Sequence, residues 1–415
     1  MNGENNFSKK RTEKITVYDV LFFLYFVVMF AHSEIPYLKF ILFLAIIAYT
    51  SINVIKNGFA ITGDRARNLK IITIWYGIMI IYIRFSELWA YVNRTESTTL
   101  PSMLRIFVIS ICMGYYLNTF DRVIKILKIF CISCAYFAVV FVMSSPISTW
   151  GDIEMGGITG QYRNFAGYIC AMNVLIAFMI YKDSKKRIYE LIAAICFVTT
   201  VLTGSRGSII SIGVMFALYV LEEKNASRKV RYLVVLILFV MIGLYVLFTN
   251  PYLNSLYGER LVAIFSSKAT DNGSKADRAY YIQVALQMFK QRPILGWGDD
   301  NFAYYLGRFT GYGREVYSHC NYAEILADFG ILGFALYYWM YIKLLINNFK
   351  ERKNNFFSKL TFIIVIRFII FEYSSITYAQ YLYIYLFVIL ICGMQVRRDK
   401  KYNEYYKRKS SKCQG

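Results

Sequence analysis

The sequence predicts an all-α polytopic membrane protein: about twelve transmembrane helices and one long extracytoplasmic loop with short helices of its own. Three observations carry this. The chain is 57% hydrophobic with only five prolines, and its mean hydropathy is +0.41. Its basic residues alternate with basic-poor connections, and a single long polar stretch interrupts the apolar pattern. Each apolar run must satisfy its backbone inside the bilayer, which favours one helical bundle over several domains. Residues 1–415 are therefore expected to form one integral membrane domain, with 250–318 as the large outer loop and 396–415 as a basic cytoplasmic tail.

A helix needs roughly 20 residues to cross the hydrocarbon, and the apolar runs place spans near 17–32, 36–55, 69–90, 100–118, 123–143, 163–181, 188–203, 207–221, 231–249, 319–345, 359–375 and 378–395. The net charge of +21, 47 basic against 26 acidic residues, raises the question of nucleic acid. The basic residues fall in Lys9–Lys14, Lys56–Lys70, Arg122–Lys128, Lys182–Arg187, Lys224–Arg231, Lys343–Lys359 and Arg397–Lys412. With the amino terminus inside, every cluster falls inside, as the positive-inside rule requires. The charge reads as topology and contact with anionic membrane lipids, with no nucleic acid implied and both termini cytoplasmic.

Cys112, Cys131, Cys134, Cys170, Cys196 and Cys392 all lie in apolar runs, where cysteine behaves as a small hydrophobe. Cys131 and Cys134 have redox spacing but sit inside a span without a histidine nearby, so neither a redox nor a metal role is expected. The first apolar run lacks a small-residue cleavage site and is followed by another span, so no cleavable signal peptide is expected.

Four connections then face outward: Ser144–Tyr162, the tight turn Thr203–Arg206, Asn250–Ser318, and the turn Tyr373–Thr377. In the long loop, Tyr280, Tyr281, Val284, Leu286, Met288 and Phe289 give Asp277–Gln291 the pattern of a short amphipathic helix on the membrane, with Arg278 in its first turn. Gly296-Trp-Gly298 marks a turn and Asp299–Phe309 a second short helix. The phrases Pro293–Gly298 and His319–Gly330 read as parts of a site.

Arg206 lies at the outer junction of two spans, where an arginine faces a cavity or partner by default; its planar fork suits a diphosphate. The plain alternative is a snorkelling interfacial residue. Arg278, Arg163 and Asn164 share that outer side, and each has a solvated-surface alternative. His319, where the loop re-enters the membrane, could take a proton from an attacking hydroxyl. Arg84 and Glu87 are expected to pair three apart on one helix face. Arg367, near the centre of its span, is either half of a structural ion pair with Glu372 or a substrate contact. Asp299-Asp300 has no third ligand at an evident spacing, so no metal is expected. Tyr280, Tyr281, Trp297, Tyr304 and Tyr305 could stack on sugar rings or form an interfacial belt.

At these residues the chain resembles the O-antigen polymerase and O-antigen ligase family. The matching pieces are Thr203-Gly-Ser-Arg-Gly207, Asp277-Arg278, Pro293-Ile-Leu-Gly-Trp-Gly298 with Asn301-Phe302, and His319 with Asn321, Glu324, Gly330 and Gly333. Cys320 departs from the usual residue beside the histidine. The resemblance implies a GT-C-like membrane glycosyltransferase in the bacterial plasma membrane, acting on its outer face on undecaprenyl-diphosphate-linked sugars without a cofactor. It assigns Arg206 and Arg278 to the diphosphate and His319 to the reaction centre; beside them, Arg163, Asn164, Ser205, Asn321, Glu324, Arg367 and Trp297 are expected as substrate contacts. It also implies flippase and chain-length regulator proteins as partners. Polymerase and ligase share these landmarks. A flippase or transporter of the lipid-linked glycan, using Arg84, Arg105 and Arg367, is the reading from another class.

Overall fold

The computed structural model describes residues 14–93, 97–151, 154–156, 159–251, 254 and 272–397. Most of the expected cluster at Lys9–Lys14, nearly all of the basic tail, and the first part of the long loop lie outside the described residues. In order, the helices are α1 (Val17–Ala31), α2 (Pro36–Lys56), α3 (Gly63–Ile72), a π-turn (Thr73–Gly77), α4 (Ile78–Ser86), α5 (Thr99–Tyr116), α6 (Phe120–Met143), α7 (Arg163–Ser184), α8 (Ile188–Leu202), α9 (Arg206–Leu221) and α10 (Ala226–Thr249). The long loop contributes α11 (Asn272–Gln291) and α12 (Asn301–Phe309). The chain then runs through α13 (Asn321–Phe349), α14 (Phe356–Phe371) and α15 (Tyr381–Arg397). No strand occurs among the described residues.

Every apolar segment expected from the sequence lies on a helix, with ends displaced by up to six residues (69 expected, Gly63 observed). Six helical stretches among the described residues are long and apolar enough to cross a membrane: Pro36–Lys56, Gly63–Ser86, Thr99–Tyr116, Phe120–Met143, Arg163–Ser184 and Asn321–Phe349. Four more, Val17–Ala31, Ile188–Leu202, Arg206–Leu221 and Tyr381–Arg397, are apolar but shorter. This is an integral membrane protein.

Local chemistry sets the helix ends. Thr16 and Asp19 form a reciprocal capping box at α1, and the side chains of Thr119, Asn225 and Asn355 cap α6, α10 and α14. Each satisfies a backbone donor that the first turn leaves free. Helix α15 is buried from Leu382 to Arg397, as expected of a helix apolar on all sides at the centre of a bundle. The π-turn carries two aromatic side chains that bond distant backbone, one on α13 and one in the turn before α15. Trp75 Nε1 donates to the Tyr337 carbonyl at 2.9 Å and the Tyr76 hydroxyl to the Tyr378 carbonyl at 2.9 Å.

The feature that positions the site is a break in α13 at Gly330, which adopts φ 61° and ψ −165°. A broken helix exposes backbone groups that the membrane cannot satisfy. The Pro293–Gly298 segment satisfies them. Trp297 N donates to the Ala327 carbonyl at 3.0 Å and Gly298 N to the Asp328 carbonyl at 2.8 Å, while Ile331 N and Leu332 N donate to the carbonyls of Pro293 and Ile294 at 2.9 and 3.3 Å. The loop phrase and the kink are thus one structure, the loop acting as a splint. The Tyr82 hydroxyl and Trp89 Nε1 both reach the Leu295 carbonyl at 3.2 Å. Only glycine fits the break: a Cβ on Gly330 would sit 2.4 Å from the Ile294 oxygen and 2.8 Å from Gly296 N. Gly330→Ala is expected to destabilise the fold by about 2–4 kcal/mol, combining a disfavoured backbone conformation with a backbone clash. Thermal unfolding in detergent measures it; an unchanged midpoint would contradict the splint.

Candidate active site

Two groups of residues meet at one end of the bundle. The first is built on the α6–α7 connection and the α8–α9 turn. Thr203 closes α8, Gly204 takes φ 64°, and α9 begins at Arg206. The Arg163 guanidinium at the start of α7 donates to the Gly151 carbonyl. A Cβ on Gly204 would meet that same Gly151 backbone at 2.9 Å, so Arg163, Ser205 and Arg206 share a rim. Asn164 is exposed beside them and Ser205 is buried, its hydroxyl accepting from Ser208 at 2.8 Å. Arg206 stands on the first residue of a helix whose free N–H groups favour anions.

Beneath this rim lies Arg367, 1% exposed. Its Nε donates to Ser211 Oγ at 3.0 Å and its guanidinium lies 5.0 Å from the Tyr168 ring centroid. Arg367 Nη2 is buried without a hydrogen-bond partner, and Glu372 stands within electrostatic reach. Arg84 pairs with Glu87 at the surface, as expected.

The second group is built on α11 and the start of α13. Residues Tyr281, Val284, Ala285 and Met288 of α11 are buried in a cluster with Cys320, just before α13, and with Ala323 and Ala327 of α13. Helix α11 therefore rests on protein along this face, where the sequence pattern suggested a membrane surface. It also begins at Asn272, which puts Arg278 in the second turn, not the first. The second loop helix starts at Asn301, with Asp299 and Asp300 in the connection before it.

His319 sits at the hinge between loop and α13 in the left-handed region, φ 58°, an uncommon conformation for a residue with a side chain. Its ring is 4.1 Å from that of Tyr317 and lies stacked 6.1 Å from that of Tyr281. Below the turn, Ser318 N donates to Glu324 Oε2 at 2.6 Å, and Cys320 N to Ser318 Oγ at 3.1 Å. Burial, reinforced by the positive charge of Arg278, pushes the His319 pKa down from 6.5 to about 4, so the imidazole is neutral at neutral pH. Tyr317 feels Arg278 and Tyr162 as well as Glu324. Tyr162 immediately precedes Arg163, so the first group lies within electrostatic reach of the second.

Three expected substrate contacts are engaged in hydrogen bonds within the protein. Asn321 is fully buried: its Oδ1 accepts from Thr377 N at 2.9 Å and Tyr378 N at 3.2 Å, and its Nδ2 donates to the Tyr338 hydroxyl at 2.8 Å. Glu324 holds the Ser318 turn. Trp297 is 8% exposed, its Nε1 donates to the Met288 carbonyl at 2.8 Å, and Arg292 covers its ring at 4.4 Å. Asp299 is buried, with Ser97 Oγ donating to its Oδ2 at 2.8 Å; burial raises its pKa from 3.8 to about 6.

Sequence reasoning missed the network around Glu372, which is 0% exposed. The hydroxyls of Tyr338, Tyr341 and Thr377 all donate to its carboxylate, and its backbone carbonyl accepts from Asn321 N at 2.8 Å. It also missed Tyr82, Ser86 and Trp89, which hold the splint. The available signal was an acid among tyrosines; the partners of Glu372 lie up to 51 residues away and those of Tyr82, Ser86 and Trp89 more than two hundred, and such separations leave no local pattern.

The fold is that of an integral membrane protein, with Arg163 and Arg206 at the starts of α7 and α9 and His319 at the hinge into α13. Residues 191–338 match the family described as O-Antigen ligase, a stretch that contains Arg206, Arg278, the splint, His319 and the α13 break. Over this stretch the chain is similar to that family, whose members are membrane glycosyltransferase-like enzymes. No curated protein matches the chain.

Proposed function

We propose that the protein is a GT-C-like polysaccharide polymerase at the outer face of the bacterial plasma membrane. It joins undecaprenyl-diphosphate-linked repeat units of a capsule, exopolysaccharide or O-antigen. The observation that supports this reading is His319 at the hinge into α13, stacked on Tyr281 of the helix that carries Arg278 and within that arginine's electrostatic reach, with Arg163 and Arg206 at the starts of α7 and α9. In the proposed step, a hydroxyl of the incoming lipid-linked unit attacks the anomeric carbon of the growing glycan. The new carbon–oxygen bond forms as the bond to the diphosphate oxygen breaks, and the hydroxyl proton passes to His319. Negative charge grows on the departing diphosphate, where fixed guanidinium groups of Arg206, Arg278 and Arg163 stabilise the transition state more than the ground state. The helix N-terminus at Arg206 adds to this. Asn164 and Ser205 line the same rim, while Arg367 lies deeper and contributes positive potential. Flippase and chain-length regulator proteins would deliver the unit and set the final length.

In this reading all twelve apolar segments cross the bilayer and both termini lie inside, as the alternation of basic clusters supports. The family description favours one second reading, a ligase that moves finished glycan to a different acceptor.

Surface glycan length in a deletion strain separates them. Wild-type complementation is expected to restore long chains. Arg206→Ala or Arg278→Ala, matched for membrane expression, is expected to leave mainly single units, with a rate loss of about 10²–10³ each. Long chains retained on the lipid carrier in the deletion strain would indicate the ligase.

A further inference from the structure

The cysteines of the membrane helices are not dispersed. The Sγ atoms of Cys134, Cys170 and Cys196 all lie within 4.8 Å of one another, although they come from three helices, α6, α7 and α8, and all three residues are 0% exposed. The CxxC spacing in the sequence pairs Cys134 with Cys131; the fold instead pairs it with two cysteines far away in the chain. Asn173, one helical turn beyond Cys170, joins the group with its Nδ2 3.3 Å from Cys196 Sγ.

We infer that Cys134, Cys170 and Cys196, with Asn173 beside them, form a binding site for a soft, thiophilic metal ion, zinc(II) or copper(I). Thiolates are the ligands that select these two ions over hard cations. In a zinc site with bonds of about 2.3 Å, tetrahedral geometry sets neighbouring sulfurs roughly 3.8 Å apart. Side-chain rotation that brings the sulfurs about 1 Å closer reaches that spacing.

A second observation separates this from plain packing of small side chains. Asn173 Oδ1 is buried with no hydrogen-bond partner. An orphaned buried acceptor costs about 1–3 kcal/mol, and an apolar side chain here would avoid that cost. Asn173 Nδ2 now donates to the Cys131 carbonyl at 3.0 Å and to Cys196 Sγ; turning the amide so that its oxygen serves as a fourth, neutral donor breaks both bonds, and the bond to the ion offsets them.

Charge balance is simple. The thiols lose protons as the ion enters: two for zinc(II) or one for copper(I) leaves a site of zero net charge, the form a low-dielectric interior favours. The one thiol left with zinc(II), or the two left with copper(I), stay protonated.

The position gives the site a structural consequence. Cys170 is seven residues beyond Arg163 and Cys196 seven before Thr203, each about 10 Å along its helix axis. A bound ion would tie α6, α7 and α8 together beneath the rim that carries Arg163 and Arg206. The inference does not depend on the reaction proposed above.

The full chain, purified in detergent under reducing conditions, is titrated with zinc alone and with copper(I) alone against a chromophoric chelator, and its retained metal is measured by mass spectrometry. The expected result is about one equivalent of one ion, with sulfur ligation in its X-ray absorption spectrum. Whichever ion survives the chelator identifies the metal. Affinity should fall at least tenfold in Cys134→Ala, Cys170→Ala and Cys196→Ala but not in Cys131→Ala, as long as each runs as a monodisperse species. Wild-type protein that is monodisperse yet binds neither ion would overturn the site, as would binding that survives Cys170→Ala. The wild-type arm stands even if the variants fold poorly.

Discussion

Replacing His319 by alanine is expected to reduce chain elongation by about 10²–10⁴-fold, the usual contribution of a positioned proton acceptor, while membrane expression and thermal stability stay near wild type. The half-exposed ring contributes two stacking contacts and no brace to another helix. Alanine should also relieve little of the backbone strain, since φ 58° disfavours any side chain. The pH profile gives a finer readout. Because burial and Arg278 hold the imidazole near pKa 4, kcat/KM of the free enzyme should stay level from pH 7 to 5 and fall only towards 4, where an unperturbed histidine would already fail near 6.5. An acid limb centred at 6.5 would remove the buried, cation-neighboured histidine from the account. The same shift has a stability consequence. Between pH 6.5 and 4 the unfolded chain binds more protons at this position, so His319 makes the fold less stable as pH falls through that window. Asp299, raised from 3.8 to about 6, acts oppositely, its folded form losing stability as pH rises from 3.8 to 6.

Glu372→Ala is expected to cause the largest loss of stability, about 3 kcal/mol or more. The change leaves the Tyr338, Tyr341 and Thr377 hydroxyls without their acceptor in a site closed to water, at roughly 1–3 kcal/mol for each buried unsatisfied group. It also removes the carboxylate nearest Arg367. Glu372→Gln keeps one oxygen acceptor and should recover part of the loss. Unfolding midpoints in detergent for the three proteins should therefore rank wild type, Gln, Ala. A midpoint for Glu372→Ala equal to wild type would show that the network does not brace the α13 entry.

The helical segments were legible because a membrane span is a local statement: about 20 apolar residues bounded by charge or turn residues. The turn at Thr203–Arg206, the loop helix of residues 272–291 and the glycine turn at Gly296–Gly298 were legible for the same reason. What escaped is non-local. Trp297 looked like a sugar-stacking surface because aromatics at interfaces often are, yet its indole is spent on the Met288 carbonyl. Asn321 looked like a ligand because it follows the histidine, yet its amide joins the α13 entry to the Thr377 turn. The helix break at Gly330 could not be read from a glycine alone, since its satisfaction depends on carbonyls and N–H groups some 35 residues earlier. Cys134, Cys170 and Cys196 show the same limit: spacing along the chain says nothing of side chains that meet across helices.

The most direct measurement of the central claim uses purified protein in proteoliposomes supplied only with an undecaprenyl-diphosphate-linked repeat unit, followed by separation of the lipid-linked products by length. The account predicts a ladder rising by whole repeat units in wild type and only the starting unit in His319→Ala. A ladder that persists in His319→Ala would contradict the assigned site, and no ladder from active wild-type protein, with a single transfer once a foreign acceptor is added, would contradict the polymerase itself.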